Sequence, residues 1–284
     1  MTTPDAPLYS SPEIYEVAFG WDLTRELDFY ESCFRAHASG RVRRLLEPCC
    51  GTGRMLEALA RRGYESVGYD LSAEMAAFAD ARLRPLGSSA HAGDMETFRA
   101  PGVFDAALHP VNSIGYLLDD APFASHLTRM GEMLRPGGIY IVQISYGGEP
   151  PELARFGPWG NRGNGLSTTL TWSVEREDAE SKRSYQHCVV TARRGKWRRR
   201  IEEEHLLRYW TQEDFDRLVS GSPFRLAAIY WDRFEPFPLE WTASGSTETS
   251  TTCSNGGRRR ASPPDQRFGR SFAICRSNAA SESG

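Results

Sequence analysis

Lysine is almost missing from this 284-residue chain. Lys182 and Lys196 are the only two among 34 basic residues, and arginine supplies the other 32. Acidic residues number 37, so the formal net charge is only −3. A dedicated nucleic-acid binder presents a strongly basic domain, and none is expected here. Long apolar runs are also missing. Stretches such as Ile139 to Val142 fall far short of the roughly 20 residues a membrane helix needs. The opening MTTPDAPLYSSPEIYEVAF has no basic n-region and no apolar h-region, so no secretory leader is legible. Six cysteines, at 33, 49, 50, 188, 253 and 275, form no C-x-x-C pair and no Cys/His ligand spacing. That pattern argues against a metal site and for reduced thiols in a cytoplasmic protein. Cys49 and Cys50 are adjacent and are not expected to bridge each other.

What remains is ordinary for a folded soluble chain: 40 % hydrophobic and 25 % charged residues. Leu23 to Ala38 has the spacing of an amphipathic helix. Five strand–helix alternations follow. The strands are Val42 to Leu46, Glu65 to Tyr69, Ala90 to Ala92, Phe104 to Leu108 and Ile139 to Ile144. Apolar strands alternating with helices predict a parallel sheet covered on both faces. The period then changes. Thr168 to Val174, Ser184 to Thr191 and Trp197 to Tyr209 read as long hairpin strands. Thr211 opens a helix with Asp214 three residues on, and Phe224 to Trp231 and Ser271 to Cys275 read as two last strands. No helix pattern separates those two, so the last is expected to run antiparallel. The expected architecture is α/β: a doubly wound, mostly parallel seven-stranded sheet with an antiparallel last strand. A β-rich insertion follows the fifth strand. Residues 243–264 are rich in Ser, Thr, Gly and Pro and read as a flexible loop.

The segment from Arg41 to Asp70, RVRRLLEPCCGTGRMLEALARRGYESVGYD, carries the chemistry. A strand ends at Glu47, a glycine turn follows, and a helix begins at once. Gly51 and Gly53 carry no Cβ, so the backbone can approach a ligand closely. The helix directs its positive N-terminus at whatever lies there. Asp70 follows Gly53 by seventeen residues, at the end of the next strand, where a carboxylate can accept from both hydroxyls of a ribose. A dinucleotide fingerprint needs a third glycine where this chain has Leu56, which disfavours an NAD-dependent oxidoreductase.

The segment resembles the class I S-adenosylmethionine-dependent methyltransferases, whose signature is an acidic residue, a spacer and Gly-Cys-Gly-Thr-Gly. Here that reads Glu47-Pro48-Cys49-Cys50-Gly51-Thr52-Gly53, with Cys49 at the family's first glycine. Four further segments match in order: Gly68 to Met75, Gly93 to Met95, Phe104 to Leu108, and Leu134 to Gly138. The resemblance implies S-adenosylmethionine as cofactor. Gly51 and Gly53 would line its methionine part, with Glu47 ordering the loop beneath. Asp70 would take the ribose hydroxyls, Leu71 and Met75 would flank the adenine, Asp94 would accept from its amino group, and the Met95 N–H would reach the ring. A second, non-catalytic reading, a protein that only binds the cofactor, shares these motifs.

The sulfonium of the cofactor makes its methyl electrophilic, so the protein's main task is alignment. His109 ends the fourth strand and is the candidate base, or else a cofactor contact through its backbone. Asn112 and Tyr116 are weaker candidates on the acceptor side. The resemblance is to the branch with glycine and sugar N-methyltransferases, in which an N-terminal Tyr-bearing segment covers the cofactor and an insertion covers the acceptor. That gives Tyr15 a lid role and makes Trp172, Tyr185 and Tyr209 acceptor-side aromatics. The expected organisation is an N-terminal helical lid segment over 1–40, a cofactor-binding domain over 41–146 and 210–276, and a substrate-side insertion over 147–209. The expected activity is in-line methyl transfer to nitrogen or oxygen of a small molecule, without nucleic acid, membrane or metal, with a homodimer left open. Arg193, Arg194, Lys196, Arg198, Arg199 and Arg200 place six cations within eight residues, read as a solvated hairpin neutralised by Glu202, Glu203 and Glu204.

Overall fold

The computed structural model describes residues 8–145, 155–230, 234, 236–237 and 270–278. The main sheet is built from β1 (Arg44–Pro48), β2 (Glu65–Asp70), β3 (Ser89–Ala92), β4 (Phe104–His109), β5 (Leu134–Ser145), β10 (Phe224–Tyr230), β11 (Pro236–Phe237) and β12 (Arg270–Ser277). Its spatial order is β11-β10-β12-β5-β4-β1-β2-β3. The five strands from β3 to β5 pair in parallel. β12 runs antiparallel between β5 and β10. This is the expected seven-stranded sheet, extended at one edge by the two-residue β11, which lies beyond the expected set.

Strand alternation splits the core in two. Leu45, Ala106, Leu108, Ile139 and Ile141 face α2 (Thr24–His37) and α3 (Arg54–Arg61). Leu46, Ala107, Tyr140, Val142 and Ile144 face α5 (Asp120–Met133) and α6 (Gln212–Ser220). Leu56 comes within 2.7 Å of where a Cβ on Gly68 of β2 would stand. The close helix–strand packing that a third glycine on the helix would allow is therefore supplied from the strand side. Ser72 caps α4 (Ala73–Leu83) by accepting from the Met75 N–H, and Thr211 with Asp214 forms a full capping box on α6.

A second, antiparallel sheet comprises β6 (Arg155–Gly163), β7 (Leu166–Asp178), β8 (Arg183–Arg194) and β9 (Trp197–Arg208). Three of its strands match the sequence reading. β6 was not expected, because its GPWGNRG run alternates poorly and is broken by glycine and proline. A short helix, α1 (Pro12–Ala18), was also unexpected. It has Pro12 in its first turn. Leu8, Ile14, Val17 and Ala18 share a small core with Leu166, Leu170, Cys188, Val190 and Ile201 of the insertion. The N-terminal strap is thus packed onto the second sheet. The expected loop at 243–264 lies outside the described residues.

Candidate functional site

In the main sheet the strand order reverses between β1 and β4, and the C-terminal ends of these strands border the crevice where such sheets bind ligands. Here the chain leaves β1 through a turn with positive φ at Cys49 (53°), Gly51 (54°) and Gly53 (74°). Gly53 is the left-handed N-cap of α3. A Cβ on it would meet the Ala79 methyl at 3.0 Å. Asp70, at the end of β2, is tied to the turn: one carboxylate oxygen accepts from the Gly51 N–H at 2.8 Å and the other from the Ser72 N–H at 2.9 Å. Burial raises its pKa, and these two backbone donors oppose the shift.

Glu47 is buried at the end of β1 with Oε2 unpartnered. Burial, and then the charge of Asp70, holds its carboxyl well above the usual range. A buried carboxyl with an unpartnered oxygen beside the two glycines of the turn fits a ligand that brings its own hydrogen-bond donors. Cys49 turns its thiol to the Met95 sulfur, 3.7 Å away, and packs against the core that contains Met95. Asp94 is exposed and accepts from the Glu96 N–H at 2.8 Å. Leu71 is 44 % exposed, whereas Met75 is fully buried.

Tyr15 covers the turn. A Cβ on Gly51 would lie 3.5 Å from its ring. Burial, then the charge of Asp70, raises its hydroxyl pKa. The strap is held down on both sides of Tyr15. Glu16 accepts from the Thr52 hydroxyl at 2.6 Å and pairs with Arg82 at 2.7 Å. Arg54 donates to the carbonyls of Phe19 and Trp21. The Tyr9 carbonyl accepts from the Ser72 hydroxyl at 2.7 Å.

His109 sits at the end of β4, 1 % exposed, with its ring turned beneath α5. Its Nδ1 meets the Tyr140 hydroxyl at 2.6 Å, and that hydroxyl meets His126 Nε2 at 2.7 Å. His126 Nδ1 lies 2.8 Å from the Met95 carbonyl, which only accepts, so this nitrogen carries the proton. Burial pushes His126 down to about 4, so it is neutral and its Nε2 takes the Tyr140 proton. His109 must then donate through Nδ1, which leaves its Nε2 bare and unpartnered. Burial also holds His109 well below the usual histidine range.

The turn after β4 is anchored by Asn112, whose side-chain oxygen accepts from the Ser145 N–H at 2.8 Å. That turn presents Tyr116. The Tyr116 hydroxyl lies 2.9 Å from the Tyr9 hydroxyl and 2.9 Å from His205 Nδ1. Trp172 of β7 stacks on His205 at 4.7 Å and donates to Gln186 at 2.5 Å. Strap, turn and insertion sheet therefore meet in one polar cluster. Of the expected acceptor-side residues, Tyr116 and Trp172 are in it. Tyr209 is buried elsewhere, with its hydroxyl on the Asp178 carbonyl. Tyr185 lies under the Arg176 guanidinium, 3.6 Å from its ring centroid.

Tyr9, Glu203 and His205 were not anticipated. The acidic run is expected to neutralise the arginines, with strand alternation splitting the charges over both faces, and the structure shows which acid takes which face. Glu202 faces out to Arg200 at 2.7 Å, whereas Glu203 faces in, accepting from the Leu8 N–H at 2.6 Å. The same period places His205 inside, two residues on, and that signal was available in the sequence. The arginines of the tip are exposed, in keeping with the solvated-hairpin reading.

Among the described residues no helix is long and apolar enough to cross a membrane, and no group of His, Cys, Asp and Glu suits a metal ion. Residues 45–138 match the family described as the methyltransferase domain. The chain is 28 % identical over 213 residues to a dTDP-3-amino-3,6-dideoxy-alpha-D-glucopyranose N,N-dimethyltransferase of Streptomyces fradiae, covering 74 % of this chain and 82 % of that one. It is 25 % identical over 194 residues to a dTDP-3-amino-3,4,6-trideoxy-alpha-D-glucopyranose N,N-dimethyltransferase of Streptomyces venezuelae, covering 64 % and 75 %. In structure it is similar to the sugar N-methyltransferase KedS8 of a Streptoalloteichus species, with a TM-score of 0.66, 20 % identity, and 92 % and 90 % of the two chains covered. Motifs, sheet order and relatives agree: residues 45–138 form a methyltransferase domain, and the chain is similar to the class I methyltransferases that use S-adenosylmethionine as cofactor.

Proposed function

We propose that this chain transfers a methyl group in line to a nitrogen or oxygen of a small molecule, and that the acceptor is an amine-bearing sugar derivative. The observation that carries this reading is the cluster of Tyr116, Trp172 and His205, assembled from separate elements beside the strap that covers the glycine turn. The two dimethyltransferase relatives act, by their names, on amino sugars, which favours nitrogen.

S-adenosylmethionine, when bound, supplies a methyl group already activated by a sulfonium. The chain's own residues bind and orient. In this reading Gly51 and Gly53 lie along the methionine part, with Cys49 beside them and Glu47 beneath. Asp70 accepts from the ribose hydroxyls and uses its backbone bonds to stay in place. Leu71 and Met75 border the adenine, Asp94 and the Met95 N–H contact its edge, and Tyr15 closes over the turn to exclude water. His109 serves the cofactor through its backbone, because its ring is committed to Tyr140. Asn112 positions Tyr116 rather than touching the acceptor, and Trp172 forms an acceptor wall. Residues 41–146 with 210–276 hold the cofactor, while 1–40 serves as the lid over it and 147–209 covers the acceptor. Tyr209 lies at the border of that cover.

The test uses the purified chain with S-adenosylmethionine and dTDP-3-amino-3,6-dideoxyglucose, read by mass spectrometry. The expected products carry one or two added methyls, with S-adenosylhomocysteine formed in equal number. Before turnover, S-adenosylmethionine at about 100 times its Kd stabilises the fold by roughly 2.7 kcal/mol, and NAD does not. Cofactor binding without transfer to this amine or to related hydroxyls would overturn the acceptor assignment.

A further inference from the structure

The Tyr116 hydroxyl has two neighbours, and behind one of them stands a third group. His205 is 2 % exposed, and its Nε2, which has no hydrogen-bond partner, lies 3.5 Å from Glu203 Oε2, itself buried and unpartnered. The other Glu203 oxygen is occupied by the Leu8 N–H. Burial, and secondarily His187, pushes His205 down to about 4, so the ring is neutral at neutral pH. A neutral imidazole carries one proton, and a carboxylate attracts it to the nitrogen it faces. That nitrogen is Nε2. Nδ1 is then an acceptor, and the Tyr116 O–H must donate to it. With its own proton committed, the Tyr116 oxygen accepts the Tyr9 O–H and keeps a second lone pair.

Resting on the amine reading above, we infer that Glu203, His205 and Tyr116 form an orienting relay. Glu203 selects the His205 tautomer, His205 turns the Tyr116 hydroxyl, and the Tyr116 oxygen accepts an N–H of the methyl acceptor. Held by that N–H, the amine directs its lone pair towards the incoming methyl. Tyr116 is a catalytic residue in this scheme, and His205 and Glu203 are positioning residues. No proton is transferred along the chain. The relay discriminates by polarity: an acceptor atom that bears a hydrogen is held, and one that only accepts is repelled by the Tyr116 lone pair. Trp172, stacked on His205, keeps the ring in plane for this alignment. Because Leu8 and Tyr9 belong to the strap, the relay is complete only when the strap is down.

The test combines histidine-selective ¹⁵N NMR with kinetics on dTDP-3-amino-3,6-dideoxyglucose. His205→Asn assigns the resonance. His205 in the unaltered chain is expected as the Nε2–H tautomer. In Glu203→Gln the new amide donates to Nε2, so the Nδ1–H tautomer should appear. Glu203→Gln and Tyr116→Phe should each lower kcat/KM by about tenfold, the value of one well-placed hydrogen bond. The affinity for S-adenosylmethionine should not change, which also shows that the variants are folded. His205→Asn, whose side-chain oxygen replaces Nδ1 as acceptor, should retain most activity, whereas His205→Leu should not. An Nδ1–H tautomer in the unaltered chain overturns the relay, as does full activity in Tyr116→Phe or His205→Leu. The NMR arm needs no acceptor, so failure of the amine reading leaves it decisive.

Discussion

The two sheets of this molecule were built under different constraints. In the main sheet, the described parallel strands are covered on both faces and read as short apolar runs. Their polar atoms gather at the C-terminal edge, where Glu47, Asp70 and the glycine turn lie. In the insertion, one face is exposed and the other carries polar side chains inward, including Glu203, His205 and Trp172. The first arrangement suits a cofactor whose shape does not vary. The second can change its inward residues without disturbing the backbone ladder, because alternate side chains of a strand point to one face. The strap joins the two. Its Tyr15 lies on the glycine turn, and its Leu8 and Val17 lie in the core of the insertion.

The strongest way to break this comparison is to unseat the strap from the insertion side. Leu170→Ala removes a side chain from the shared core, and a loss of about 2–5 kcal/mol in stability is expected. Hydrogen exchange should show the amides of Ile14 to Ala18 losing protection together with β7 and β8. Retained protection in the strap would mean that the two do not pack as one unit.

A smaller effect should be confined to the cofactor side. Asp70→Ala is expected to weaken S-adenosylmethionine binding by about 1.5–3 kcal/mol, since charge-assisted hydrogen bonds are lost. Calorimetric titration measures it. The insertion core should keep its hydrogen-exchange protection. Unchanged affinity would remove Asp70 from the ribose site.

The smallest effect concerns the link between the insertion and α6. Asp214 accepts from Lys182, in the turn between β7 and β8, and from Thr211 at 2.7 Å. Burial acts to raise its pKa, but Lys182 and Thr211 outweigh it and hold the carboxyl at about 2, below the ordinary 3.8. A depressed folded-state pKa stabilises above the unfolded value, and that contribution disappears as pH falls towards 2. Asp214→Asn should therefore cost about 0.5–2 kcal/mol at pH 7, as for a lost helix cap. Urea unfolding at pH 7 and again near pH 2.5 should show the difference shrinking. A constant difference would mean that the carboxylate charge plays no part.

Much of the main sheet was legible because its signals are local. Apolar runs, the Thr211 capping box and the turn at Gly51 and Gly53 each lie within a few residues. The missed elements lacked such signals. β6 is held by its pairing with β7 rather than by a hydrophobic pattern, and α1 is only seven residues long and depends on the insertion core. Residue by residue, the candidate site divides in the same way. Glu47 and Asp70 follow from their place at strand ends. His109 occupies its expected place on β4, but the direction of its ring is set by Tyr140, 31 residues away, and by His126 behind it.

The amino-acid sequence by itself determined the alternation of strand and helix, the glycine turn and the acidic residue at the end of the second strand. Each depends on backbone freedom, periodicity or spacing within one segment. The tertiary structure decided which polar groups meet. Leu8 with Glu203, Tyr9 with Tyr116, and Tyr116 with His205 are separated by 195, 107 and 89 residues. No local pattern encodes such pairs. They exist because burial leaves a polar atom only the partners that the packed chain brings to it.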